Sequence, residues 1–274
     1  MNEAAYWWTR IVYELAGVAA RMQRSGSGDT FAAYVAEVVV LIVSVVSTII
    51  WSIIDRRRGN YTVLSSWLRV LARYALAYIL FAYAFSKIIP TQFLPPQDSQ
   101  LSEVYGRASP MGLLWRFMGF STAYTIFGGL AELLPAILLL FRRTAMLGSV
   151  LGFLVMLNIV MLNLCYDVPV KLASINLLFL CGFLILPDVS RLYRFFVLNV
   201  PTQRSALAEP ILHDRTFKRV GLVLKYTALG IFLTLTIKAS IVRYRQQRES
   251  LGSPGRYPLT SRGFHWVQEY PYNR

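Results

Sequence analysis

An acidic residue inside a long apolar run is the strongest candidate for chemistry in this sequence. Glu132 lies within Phe117–Leu140, a stretch made otherwise of apolar and small residues. A charge at membrane depth is costly unless it is paired or protonated, and it usually faces the interior of a helical bundle. Gly128, Glu132 and Ala136 recur every four residues, so the acid shares a helix face with small residues that allow close packing. We therefore predict that Glu132 faces protein and not lipid.

Two cations on the preceding apolar run are candidate partners for this carboxylate. Arg73 and Lys87 are fourteen residues apart, nearly a whole number of turns, so they share one face about 21 Å apart along the axis. Counting back from Arg142 places Glu132 about 15 Å from the end of its run, which matches the depth of Arg73. The sequence therefore predicts a buried Arg73–Glu132 pair, whose role is either structural or functional.

A second polar level is predicted at the opposite end of these helices, around Asp167. This residue comes just before Pro169, where it is well placed to cap the next helix. Lys87 and Lys171 lie at this depth, where they either pair with Asp167 or extend their charged ends to the membrane interface. Asparagines in the same region can also form hydrogen bonds between helices. Over both levels, the candidate polar site comprises Arg73, Glu132, Lys87, Asp167, Lys171, Asn158, Asn163 and Tyr83.

Long apolar runs account for most of the sequence and predict a membrane protein. The chain has 274 residues, of which 55% are hydrophobic and 15% charged, and its mean hydropathy is +0.47. A helical span needs about 20 apolar residues. The predicted fold is all-α, a polytopic membrane bundle with an additional amphipathic helix at residues 4–22. The predicted spans are Phe31–Ile54, Trp67–Ile89, Phe117–Leu140, Ala145–Leu164, Val168–Leu186 and Val220–Val242.

The spans divide into a central group and flanking parts. Gly148 and Gly152 lie four residues apart on the fourth span, a spacing that indicates close packing against another helix. The predicted organisation is an amphipathic helix and linker (1–30), a flanking transmembrane helix and basic loop (31–66), a four-helix core (67–190), a cytoplasmic linker and last transmembrane helix (191–242) and a polar tail (243–274).

The net charge of +14 and the pI of about 10.0 come from Lys and Arg residues that flank the apolar runs. Such residues anchor to lipid headgroups and favour the cytoplasmic side, so we expect a lipid bilayer and no nucleic acid as partner. The two cysteines form no disulfide framework, and no spacing typical of a metal site or an intrinsic redox cofactor is present. The connections expected in the cytoplasm are 55–66, 141–144 and 188–219.

Two of the predicted helices resemble the DoxX-like family of small bacterial membrane proteins. Arg73–Ile88 reads RYALAYILFAYAFSKI, and Phe127–Gly148 reads FGGLAELLPAILLLFRRTAMLG. In that family an early helix runs from an Arg to a Lys at its far end, and the next helix has a Gly-x-x-Glu core. On this pattern Arg73, Lys87 and Glu132 fall on family positions.

The runs SPMGLLWRFMGFS and NLCYDVPVKL resemble a larger DoxX-like subgroup that has extra flanking helices. The sequence departs from the family pattern at Ala84, where many members have Gly, and at Pro135, which stands in place of the usual Gly after the Glu. The resemblance covers Trp67–Asp188. It implies an antiparallel four-helix core and a multi-pass protein of the bacterial inner membrane.

Three functions are compatible with these observations. The first is a membrane subunit associated with a quinone- or thiol-linked redox system, as the resemblance implies, with a quinone as possible ligand and electrons supplied by a redox partner. Burial favours the protonated form of a carboxyl group, which suits proton exchange with a quinol. The second is a non-catalytic scaffold or assembly subunit of a membrane complex. The third is a small proton-coupled transporter, although no inverted repeat stands out.

Overall fold

The structure, a computed structural model, describes residues 28–101, 103–202 and 215–250. Within these residues the chain is all-helical and contains no strand. Six helices are long and apolar enough to cross a membrane, so the chain is a multi-pass membrane protein with the predicted all-α fold. The predicted amphipathic helix at 4–22 and the end of the tail, 251–274, lie outside the described residues.

Nine α-helices are present in the described parts of the chain, with single 3₁₀ turns at Tyr105–Arg107 and Leu186–Asp188. Several helices extend beyond the predicted spans, because hydropathy marks only the apolar part of a helix and polar ends continue the same backbone. The helices are α1 (Phe31–Ile54), α2 (Thr62–Ile88), α3 (Asp98–Leu101), α4 (Pro110–Phe120), α5 (Thr122–Leu140), α6 (Ala145–Cys165), α7 (Lys171–Ile185), α8 (Val189–Phe196) and α9 (Arg215–Ser250).

A core of four antiparallel helices buries most of the apolar interior. Helix α2 packs against α5, α5 against α6 and α6 against α7, and α7 closes the bundle against α2. We call the side where α5 and α7 end, next to the arginine-rich connections, the basic end, and the opposite side the far end. The fully or nearly fully buried residues between the helices include Leu76, Leu80, Ala136, Leu139, Cys181 and Leu184.

The prediction of one continuous span over Phe117–Leu140 is wrong, because the chain forms two helices there. Helix α4 ends at Phe120, and Ser121 starts α5 by accepting a hydrogen bond from the Tyr124 N–H at 3.2 Å. The Thr125 hydroxyl donates to the Met118 carbonyl at 2.6 Å and joins the two helices. Local hydrogen bonding therefore breaks a run that hydropathy alone presents as one helix.

Glycines hold α5 and α6 together in the basic half of the core. A Cβ atom at Gly148 would lie 2.9 Å from the Leu139 backbone nitrogen, so only glycine allows this approach. Gly152, one turn farther, lies against Pro135 and Cys181. The predicted close packing at Gly148 and Gly152 is confirmed.

Helices α1 and α9 lie outside the four-helix core and are joined to it by different contacts. In α9, Lys225 Nζ donates to the carbonyl of Leu140 at the end of α5 at 2.6 Å. Helix α1 is tied instead to the start of α7, where the Gly28 N–H donates to the Pro169 carbonyl at 2.9 Å. Helix α9 also packs against α2. Helix α1 begins beside the start of α7 and ends at the short loop that leads into α2.

Candidate ligand cavity in the far half of the bundle

The far half of the core encloses a cavity of about 370 Å³. Helices α2, α4, α5, α6 and α7 all contribute to its walls, and most of the lining is apolar. A small buried cluster of Phe93, Leu114, Met118 and Val168 covers its far end, and the Trp115 ring packs edge-on against Phe93 at 5.1 Å. An apolar cavity of this size with a few polar groups is typical of a small-molecule site.

The principal polar feature of the cavity wall is an ion pair between Lys87 and Glu132. Both side chains are buried, with Lys87 7% and Glu132 2% exposed. Lys87 Nζ donates to Glu132 Oε1, whereas Glu132 Oε2 has no hydrogen-bond partner among the described residues. An unsatisfied buried carboxylate oxygen is costly, and Glu132 Oε2 lacks the compensating donor that a buried carboxylate normally has among the described residues.

The prediction that Arg73 is the partner of Glu132 is wrong, and Lys87 takes that place. A Cβ atom at Gly129 would lie 2.8 Å from the Ala84 carbonyl oxygen, so α5 is seated directly against the end of α2. Glu132, one turn from Gly129, then reaches Lys87. Arg73 is buried nearer the basic end, where its Nη2 lies 3.3 Å from the Tyr74 hydroxyl oxygen.

The wrong prediction of an Arg73–Glu132 pair comes from the assumed alignment of α2 and α5 along their axes. Matching depths from the ends of the apolar runs assumes that neighbouring helices end at common levels. Helix α5 instead continues about 10 Å beyond its contact with α2, counted from Gly129 to Thr122. Lys87 is therefore deep within the bundle, and the interpretation that it extends to the interface is also wrong.

Three more of the predicted site residues line the cavity. Asn163 is buried, whereas Tyr83 and Asn158 lie partly on the outer surface of the bundle. Ser174 also lines the wall, and its hydroxyl donates to the Lys171 carbonyl at 2.9 Å. Sequence reasoning missed Ser174 and the far-end cover, because neither carries a charge or a motif that marks it.

Asp167 and Lys171 lie outside the cavity lining. Lys171 Nζ donates to Asp167 Oδ1 at 2.6 Å, so the two are in contact as their depth predicts. The Asp167 side chain is 80% exposed. This ion pair belongs to the surface at the far end, and the predicted second polar level is thus separate from Lys87.

The prediction that Asp167 caps α7 is wrong. Asp167 has a φ of 50°, a left-handed conformation that ends α6, and the next N–H, that of Val168, donates to the Asn163 carbonyl at 3.0 Å. The cap of α7 comes from Asp29, whose carboxylate accepts from the N–H groups of Lys171 at 2.7 Å and Leu172 at 3.1 Å. Asp29 precedes α1, so the cap also connects α1 to the core.

The cavity is open toward the membrane. Phe127 on α5 and Leu154 on α6 line it and are 63% and 56% exposed. Tyr83 on α2 and Ala173 on α7 likewise line the cavity and are exposed. The cavity wall is therefore shared between the interior of the core and the outer surface of the described bundle.

A comparison with known proteins places the chain in a family. No model of a known protein family matches it. A stretch of 118 residues, 42% of this chain, is 35% identical to the uncharacterized protein YwoB of Bacillus subtilis (strain 168) and covers 73% of that protein. The chain belongs to the YwoB family. No solved structure matches it. Because YwoB is described as uncharacterized, the YwoB family supplies no substrate, and the chemistry has to be argued from the cavity.

Proposed function

We propose that this chain is a subunit of a redox system in the bacterial inner membrane and that its cavity binds the head group of a quinone or quinol. The observation that carries the proposal is the free oxygen of Glu132 beside Lys87 on the wall of an apolar cavity open to the membrane. Such a cavity suits a ligand with an apolar body and a small hydrogen-bonding head.

The two charged side chains suit the two oxidation states of such a head group. A quinol hydroxyl can donate to Glu132 Oε2, which lacks a partner among the described residues. The Lys87 ammonium has three N–H donors and uses one on Glu132, so another can polarise a quinone carbonyl. When a quinol is oxidised to a quinone, Glu132 can take up one of the two protons released, while the second proton and the two electrons pass to a redox partner.

We also propose that the YwoB family is DoxX-like. The support is that Lys87 and Glu132, which fall on DoxX-like positions, are in contact within a four-helix core. Arg73, the third of these positions, is buried toward the basic end and does not line the cavity. Its place in a DoxX-like protein is therefore structural or partner-binding and not part of the head-group site.

A scaffold function is the second candidate, and the position of the ion pair favours it. Lys87 and Glu132 lie close to Gly129, where a Cβ atom would be 2.8 Å from the Ala84 carbonyl oxygen of α2. A buried ion pair at such a point can select one helix register among several. In that case the cavity would be empty of any specific ligand in the assembled complex.

The experiment that separates these functions is analysis of bound quinone in chain purified from native membranes in mild detergent. Ala131→Phe fills the cavity, because Ala131 lines it. Leu134→Phe is the matched control, since Leu134 lies on the same helix and is 51% exposed. We expect Ala131→Phe to lower bound quinone about tenfold or more, a loss of at least 1.4 kcal/mol in binding, and Leu134→Phe to leave it unchanged.

Titration with decylubiquinone, followed by the thermal shift of the purified chain, provides the second measurement. The quinone proposal predicts a shift for the wild type and for Leu134→Phe, and none for Ala131→Phe. Absence of both co-purified quinone and a thermal shift in the wild type would contradict the proposal and leave the scaffold function.

A further inference from the structure

Two flanking helices carry opposite charges on their exposed faces within the membrane. Glu37 lies in α1 and Lys238 in α9, each within an apolar segment, and both are exposed. In the part of the chain that the structure describes, neither side chain has a hydrogen bond or an ion pair. A charge in the hydrocarbon is costly unless an opposite charge or a polar group compensates it.

The depth of Lys238 is set by the contact of α9 with α2. The Phe232 and Tyr78 rings lie 3.8 Å apart, and Lys238 is six residues, about 9 Å, farther along α9. Both helices run from the basic end to the far end, since α9 meets Leu140 early and Thr91 late. Lys238 therefore lies level with the residue six positions after Tyr78 in α2, which is Ala84.

The depth of Glu37 follows in the same way from the cap that joins α1 to α7. Asp29 binds the first N–H groups of α7, and Glu37 is eight residues, about 12 Å, deeper. Helices α1 and α7 run in the same direction, so Glu37 lies level with Phe179, halfway along α7. Both charges are thus near the middle of the core.

The depths of Glu37 and Lys238 can be compared through Gly152 of α6, which lies close to residues of both α7 and α2. A Cβ atom there would be 3.4 Å from Cys181 Sγ and 3.9 Å from Leu80 Cδ1, so these two residues are level. Relative to this plane, Phe179 is about 3 Å and Ala84 about 6 Å toward the far end, counted along their helices. Glu37 and Lys238 therefore differ in depth by less than one helical turn.

We propose that two copies of this chain form a two-fold dimer through the face made by α1, α2 and α9. A two-fold axis along the membrane normal keeps every residue at its own depth and places α1 of each copy opposite α9 of the other. Glu37 of each copy then pairs with Lys238 of the other. The equal depth of the two charges is the condition that such a dimer requires.

The arrangement of helices within one chain favours pairing between copies. Helix α9 contacts α2 and the end of α5. Helix α1 begins beside the start of α7 and ends at the loop that leads into α2, so the proposed dimer places it on the α7 side of α2. Between them α2 presents exposed apolar side chains, including Leu71 and Tyr78. Within one copy, α2 separates Glu37 from Lys238. In the dimer, Glu37 of one copy meets Lys238 of the other across the interface, and the exposed surface of α2 is covered.

Charge reversal in the full-length chain tests this pairing. The monomer–dimer equilibrium is measured in lipid bilayers by energy transfer between labelled copies at increasing lipid dilution. Glu37→Lys and Lys238→Glu should each weaken dimerisation about tenfold or more, because like charges then face one another. The double variant should restore dimerisation. Unchanged dimerisation in both single variants, or no recovery in the double variant, would overturn the proposal.

Cysteine cross-linking identifies the partner independently. In a Cys165→Ala background, which removes the exposed native cysteine, chains with Glu37→Cys and chains with Lys238→Cys are co-expressed under different tags. Oxidation should join the two tagged chains. The matched control is Val45→Cys with Lys238→Cys, since exposed Val45 lies on α1 about 12 Å deeper than Glu37 and should not cross-link.

Three cross-linking results would overturn the proposal. They are an absence of cross-linked dimer, equal cross-linking by the Val45 control, and an internal disulfide within a chain that carries both Glu37→Cys and Lys238→Cys. None of these results depends on the cavity ligand. The dimer proposal and the quinone proposal can therefore be contradicted independently of each other.

Discussion

The two halves of the four-helix core contain the same helices but pack them differently. In the basic half, Gly148 brings α6 so close to α5 that a Cβ atom would lie 2.9 Å from the Leu139 backbone nitrogen. In the far half, α5 is seated on α2 at Gly129, and a cavity that α4 and the Phe93 cluster cover lies between the helices of the core. Within a membrane, helix association depends on close packing and hydrogen bonds because lipid tails are as apolar as the side chains. The difference shows that small residues at one level of a bundle leave another level free for a site.

The largest loss of stability is expected from replacing either residue of the buried Lys87–Glu132 ion pair in the far half. Glu132→Leu or Lys87→Leu alone leaves one buried charge without its partner, so each should lower the free energy of unfolding by about 3–5 kcal/mol. The double replacement by leucine should recover most of this loss, because no uncompensated charge remains. Reversible unfolding of the purified chain in mixed micelles, analysed as a double-mutant cycle, measures the coupling.

Arg73→Leu supplies the control for this cycle. Arg73 and Glu132 are not in contact, so their losses should add within about 0.5 kcal/mol. Additive losses for Lys87 and Glu132 would instead contradict the ion pair on the cavity wall.

Two adjacent glycines at the border of the cavity provide the next test. A methyl group at Gly129 would overlap the Ala84 carbonyl and the Ile88 backbone nitrogen, so Gly129→Ala should cost about 1–3 kcal/mol of stability. A methyl group at Gly128 meets only Met118 Cε at 3.9 Å. Gly128→Ala should be neutral, or stabilising by up to about 1 kcal/mol through helix propensity. Unfolding measurements in which both variants behave alike would contradict the close seating of α5 on α2.

The smallest effect is expected at the far end, where α1 joins the core. Asp29→Ala removes the acceptor for two N–H groups of α7 and should cost about 0.5–2 kcal/mol. Lys171→Met removes the partly exposed pair with Asp167 but keeps the backbone N–H, and should cost less than about 1 kcal/mol. A larger loss for Lys171→Met than for Asp29→Ala, measured by the same unfolding method, would assign the stability of this end to the ion pair.

Much of the fold and part of the site follow from sequence patterns. The first span is predicted with its observed bounds, Phe31–Ile54, because Thr30 caps it and charged residues follow it. The inward orientation of Glu132 follows from its small-residue face, and its 2% exposure confirms that prediction. The break at Ser121 is not predicted, because the apolar composition is the same on both sides of it.

The sequence by itself determined the all-α membrane fold and the inward orientation of Glu132. Both follow from local properties, namely the length of apolar runs and the helical period. Only the tertiary structure decided that Lys87 pairs with Glu132, that Asp29 caps α7, and that a cavity lies beside the pair. These features depend on how far each helix slides along its neighbour, and that offset is set by steric contacts between distant residues, such as Gly129 with Ala84. Helical periodicity fixes a direction around the axis and carries no information about this displacement along it.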